Sequence, residues 1–160
     1  MTEHTKSFLP IVWSYVKQYN LTEDLFVKKK LKEGLKDTLK KMTDQKVAMV
    51  SEAVMIACNK INVDPFELLW TDRNVLGKDE NGKSLLLWEH STPLAEYFES
   101  LVNFKNEREF YEIVENYSGV CWLMRYEDNL LNKSKFRSSR PGGWKKAYES
   151  CNINVIVRNF

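Results

Sequence analysis

The chain is 160 residues long with a formal net charge of +2, and 43% of it is hydrophobic and 12% aromatic. That length fits one domain able to bury roughly 70% of the surface its unfolded chain would expose, so folding requires neither a disulfide framework nor a structural metal. The near-neutral charge excludes a uniformly basic nucleic-acid binder, and no run approaches the ~18 apolar residues of a membrane span.

Three cysteines, Cys58, Cys121 and Cys151, are odd in number and lack any C-x-x-C spacing. This argues against a cysteine-rich zinc site and suits a reducing compartment. No basic segment precedes an apolar one near Met1, so no secretory signal is expected and the cytoplasm is the expected location.

In chain order, Phe8, Ile11, Val12, Tyr15, Val16 and Tyr19 share one helical stripe. A second helix is expected after Thr22 as its N-cap, with Leu31, Leu35, Leu39 and Met42 inward. A third is expected after Thr43, with Val47, Val50, Val54, Cys58 and Ile61 inward. Asp64-Pro65-Phe66-Glu67 predicts a short helix to about Trp70, since Asp caps and Pro fits the first turn. Residues 71 to 83 are polar and include Asn81-Gly82, a hairpin turn signal. Strands are expected at Leu85–Trp88 and Val120–Met124, and a β-like run at Ile153–Val157. Helices are expected from Thr92 to about Asn103, from Asn106 to Asn116, and around Trp144–Ser150. The expected fold is α+β in a single domain, with a mostly helical amino-terminal half, a small β-containing carboxy-terminal half and a soft boundary near residue 71.

Three features carry candidate chemistry. His4 lies at the terminus, which leaves His90 as the one credible catalytic imidazole, emerging with Glu89 where a strand meets a capped helix. The run Glu127-Asp128-Asn129 follows an apolar strand and offers oxygen ligands for a hard cation such as magnesium. The alternative places those acids in the first turn of a helix, where they complement its dipole. From Lys133 to Lys146 there are six bases, Lys133, Lys135, Arg137, Arg140, Lys145 and Lys146, and no acid. Cations, serines and glycines interleaved with Phe136 and Trp144 suit a phosphate backbone and its bases. A solvated loop with Trp144 as a core anchor is the competing reading.

At Glu89-His90-Ser91-Thr92-Pro93 the chain resembles the opening of HNH-type (ββα-metal, or His-Me) nucleases. The resemblance implies His90 as general base, Glu89 as metal ligand or orienter, and a later carboxylate such as Asp128 as a second ligand. It implies a divalent cation, magnesium or manganese, and phosphodiester cleavage. Two expected helices intervene before the next strand, and the chain holds two histidines in all, which departs from that pattern. The expectation is therefore a small metal-dependent endonuclease acting on nucleic acid, DNA in preference to RNA, gripped by Lys133, Lys135, Arg137, Arg140, Lys145 and Lys146. The competing expectation is a non-catalytic regulator that binds nucleic acid or a nucleoprotein complex through the same segment.

Overall fold

The computed structural model describes residues 3–43, 47–116 and 119–158. The chain divides into two compact units, one formed by Met1–Asp44 with Leu94–Tyr117, the other by Gln45–Pro93 with Ser118–Phe160. The division is discontinuous and does not fall near residue 71.

The first unit is helical. Helix α1 (Glu3–Leu21) and helix α2 (Leu25–Met42) run antiparallel, with His4 Nε2 3.0 Å from the Lys41 carbonyl. Asp24, not Thr22, caps α2: its Oδ1 accepts from the Phe26 and Val27 amides at 2.8 and 3.1 Å. Thr22 acts one step earlier, its hydroxyl accepting from the Asp24 amide. Val12 and Val16 of α1 and Leu35, Leu39 and Met42 of α2 are buried together. Helices α4 (Leu94–Val102) and α5 (Glu107–Asn116) complete this core with Tyr97, Phe98, Leu101, Phe110 and Val114. Each helix thus buries one apolar stripe and leaves the opposite face to water, as a helical period of 3.6 requires.

The second unit is built on a four-stranded sheet of order β2-β3-β1-β4, comprising β1 (Met49–Ser51), β2 (Leu86–His90), β3 (Val120–Met124) and β4 (Val155–Val157). β1 is parallel to β3 and antiparallel to β4, and β2 is antiparallel to β3. Side chains alternate across the sheet. Val50, Leu86, Val120 and Trp122 join Val54 and Cys58 of α3 (Glu52–Asn59) on one face. Met49, Cys121 and Leu123 join Leu131 of α6 (Arg125–Lys133) and Ala147 and Tyr148 of α7 (Gly143–Ser150) on the other. The α+β class follows directly.

Two expected helices are otherwise. Residues expected to form one helix from Thr43 to Ile61 form the central strand β1 and then α3, capped by Ser51, whose hydroxyl accepts from the Val54 amide at 3.2 Å. Residues 44–46 of that expectation lie outside the described residues. Val47, Met49 and Val50 are buried across two different cores, and a short apolar run of that kind has no period to distinguish strand from helix. Asp64 does accept from the Phe66 amide, but a turn follows and the only helical piece is a single 3-10 turn at Trp70–Asp72. The Phe66 carbonyl, which a helix would pair with the Trp70 amide, accepts instead from Arg158 Nη1 at 3.3 Å.

All three cysteines are buried and free of disulfides. No helix among the described residues is long and apolar enough to cross a membrane.

Candidate functional site

One sequence-predicted acid, Glu89, and one of the predicted phosphate-gripping cations, Arg140, meet at the end of β2. In the register of β2 against β3, Glu89 faces Cys121 and His90 faces Val120. Directly opposed residues share a face, so Glu89 lies on the α6–α7 side of the sheet with Cys121. His90 lies on the α3 side with Val120, Trp88 and Trp122. The candidate base and the candidate ligand beside it therefore emerge on opposite faces.

Glu89 is paired with Arg140, whose guanidinium is 1% exposed. Arg140 Nη2 donates to Glu89 Oε1, while Nη1 donates to the His90 carbonyl at 2.7 Å and to the Ser91 carbonyl. The guanidinium also lies 5.2 Å from the centre of the Tyr148 ring. This is the fixed fork geometry that suits arginine to a buried, multiply bonded place. Burial pushes the Glu89 carboxyl above its ordinary value, against the pull of Arg140 and with a further push from Asp128. Arg140 thus does not reach an external phosphate, and its assignment to the gripping set is corrected: it fastens the basic segment to the end of β2.

Asp128 lies in the first turn of α6, beside Glu127. Burial raises the Asp128 carboxyl, opposed by the hydrogen bond from Asn132 and by the charges of Arg125, Arg140 and Arg137. Arg140 and Asp128 thus act on Glu89, and Arg125, Arg137 and Arg140 act on Asp128, which links the strand-end acid and the helix acid through Arg140 of the basic segment. Glu127 does other work. Its Oε2 accepts from the Ser51 hydroxyl at 2.6 Å and from the Met124 amide at 2.7 Å, tying the start of α3 to the start of α6. Burial raises this carboxyl as well, with both hydrogen bonds pulling it back.

The basic segment begins where α6 ends. The Lys135 amide donates to the Asn132 carbonyl at 3.1 Å and the Phe136 amide to the Leu131 carbonyl at 2.9 Å. Lys135 holds φ at 66°, and Phe136 packs into the core that contains Leu131. These are the bonds and the apolar contact of a Schellman ending, which glycine occupies at least cost. Replacing Lys135 with glycine is expected to raise stability by about 1 kcal/mol, since a left-handed side chain costs about that much. Chemical denaturation reads it out, and a loss of stability would show that the lysine side chain contributes more than its backbone costs.

Lys133, Lys135, Arg137, Lys145 and Lys146 are exposed, whereas Phe136 and Trp144 are half-buried and pack beside Tyr148 and Leu131. Trp144 serves as an anchor, its ring 5.7 Å from that of Tyr148. Sequence reasoning missed the pairing of Glu89 with Arg140 because 51 residues separate them. It also missed Ser51 and Tyr148, neither of which carries a motif. Among the described residues, no group of three or more His, Cys, Asp or Glu side chains is placed to share one metal ion.

No protein-family model, no curated protein and no solved structure matches the chain.

Proposed function

We propose that the protein binds nucleic acid through residues 133–146, as a binding module rather than a nuclease. The observation that supports this is the acid-free run of exposed cations Lys133, Lys135, Arg137, Lys145 and Lys146, held in place by the buried Arg140. Each cation that neutralises a phosphate releases counterions, which makes affinity fall with salt. The disulfide-free cysteines support a place in the reducing cytoplasm. Changing Lys135, Arg137 and Lys145 together to alanine is expected to make the slope of log K against log salt shallower by about 2–3. Fluorescence anisotropy with a duplex and with single-stranded DNA and RNA of equal length reads this out and ranks the partners. An unchanged slope and affinity would remove the segment from the binding surface.

A second reading, the metal-dependent endonuclease, draws on one observation. β2 pairs antiparallel with β3 and α6 follows β3 directly, although α4 and α5 separate the two strands in the chain, and Asp128 acts electrostatically on Glu89. Magnesium is held by one or two carboxylates plus water and phosphate. Glu89 already serves Arg140, however, and His90 lies across the sheet from it, which weighs against a base and a metal sharing one phosphate. Incubation with supercoiled plasmid, with and without magnesium or manganese, separates the two readings. Metal-dependent nicking that His90→Ala abolishes would establish the enzyme.

A further inference from the structure

Among the described residues the sheet ends at β2 on one side and at β4 on the other, and the two edges are finished differently. At β2, Arg140 pairs with the Glu89 side chain and occupies the His90 carbonyl. Charge and cover of this kind keep an edge from pairing with another strand. β4 is Val155-Ile156-Val157, with no charge, proline or glycine in it. Which of its groups face outward follows from the ladder. The Glu52 amide donates to the Asn154 carbonyl and the Arg158 amide to the Ala48 carbonyl, both at 2.9 Å. Bonded pairs alternate along an antiparallel ladder, so Val50 and Ile156 form the bonded pair between these two. Val155 and Val157 therefore turn their amides and carbonyls away from β1. Ile156 is 38% exposed and Val157 50%.

The side chains along this edge select the occupant. Alternate residues share a face, so Asn154, Ile156 and Arg158 lie on the α3 side, where Val50 also lies. Asn154 Nδ2 donates to Glu52 Oε2 at 3.0 Å, which holds a carboxylate at one end of β4. Arg158 stands at the other end, its Nη2 2.7 Å from Glu67 Oε1, and a guanidinium receives carboxylates along more than one of its edges. Carboxylate, apolar centre and guanidinium in that order are complementary to the same series reversed. We infer that β4 pairs antiparallel with β4 of a second copy of this chain, about a two-fold axis at Ile156. With Val155 opposite Val157 of the second copy, the outward amides and carbonyls of both strands bond one another. Ile156 then faces its own counterpart as a non-bonded pair, where side chains come closest. Arg158 faces Asn154 of the second copy, and with it Glu52. Ile56, one turn beyond Glu52 on the same side of α3 and 53% exposed, adds apolar surface there. One patch serves both copies, as a two-fold interface requires, and the association closes at a dimer. This inference is independent of the nucleic-acid reading, because Arg140 fastens the basic segment to β2 at the other edge of the sheet.

Sedimentation of the full chain over a range of concentrations is expected to show a monomer–dimer equilibrium whose dissociation constant rises with salt. Ile156→Lys sets like charges directly opposite each other and should raise that constant about a hundredfold or more. Its circular dichroism should match that of wild type diluted to monomer. Glu52→Lys should raise the constant about fivefold, the scale of losing exposed ion pairs. Cysteine substitution reads the register, since the native cysteines are buried. Ile156→Cys stands about 4.5 Å, Cα to Cα, from its counterpart, which is within disulfide reach. Val157→Cys stands about 8 Å from its own, two residues along and one strand across, which is beyond it. Mild oxidation should therefore give a covalent dimer with Ile156→Cys and none with Val157→Cys. A monomer at every concentration, a particle that keeps growing beyond a dimer, or equal cross-linking at both positions would overturn the inference. A dimer untouched by Ile156→Lys or by Glu52→Lys would do the same. So would a monomer whose Val155 and Val157 amides shift on adding a synthetic valine-rich extended peptide, which would assign the edge to a strand of another protein.

Discussion

Arg140→Ala is expected to cost about 3–5 kcal/mol of stability, the usual result of breaking a buried ion pair by removing one partner. The guanidinium is 1% exposed and its acceptors are Glu89 and the carbonyls of His90 and Ser91. Its removal leaves the Glu89 carboxylate and two backbone oxygens without their donor at once. Glu89→Ala should be comparably severe, because arginine cannot shed its proton to escape burial. Replacing both residues by methionine should recover most of the loss, since an apolar pair of similar volume removes the desolvation cost of both charges. Urea denaturation of the two single variants and the double variant closes the cycle. Additive losses would show that Glu89 and Arg140 do not act as a pair.

Glu127→Ala is expected to cost on the order of 3 kcal/mol, because hydrogen bonds to a charged group contribute about 1.5–3 kcal/mol each. Glu127 accepts two, from Ser51 and from the Met124 amide, and is nearly fully buried. The sign of its pH dependence is fixed by the direction of its shift. Burial raises the carboxyl in the folded state above the unfolded value of about 4.3. The folded chain therefore holds this proton more tightly, so the proton-linked stability is fully present below the unfolded value. It is lost as pH rises through the folded value. Glu89 and Asp128 are raised by burial too and add in the same sense. Between acid and neutral pH, stability of the wild type relative to Glu127→Gln should therefore decline as pH rises. A difference that grows with pH would mean that the hydrogen bonds, not burial, govern the group.

How much of this was legible in the sequence depended on whether a signal was local. Helices α1, α2, α4 and α5 have apolar stripes at a period of 3.6 and were legible at once. β2 and β3 were legible as apolar runs of strand length, though β2 runs two residues past the expected end at Trp88 and takes Glu89 and His90 into the strand. β1 was not, because a three-residue central strand buried on both faces has no alternation. The site divides along the same line. The exposed cations of residues 133–146 are visible in composition. The burial of Arg140 and the use of Glu89 as its counter-charge depend on a contact across 51 residues that no spacing announces. The opposition of His90 to Glu89 follows from strand parity alone, and adjacent residues in a motif are easily taken to act together until the strand is drawn.

The strand order has a consequence for synthesis. The central pairing of Met49 with Cys121 joins residues far apart in the chain, and the outer pairing of Met49 with Val157 joins residues further apart still. At roughly 5–20 residues per second, the ribosome delivers β4 on the order of ten seconds after β1. The α1–α2 hairpin can close long before that from its own local contacts. Val47 to Ser51 must wait in an unpaired apolar stretch, so the nascent chain is most exposed to aggregation and chaperone capture at β1.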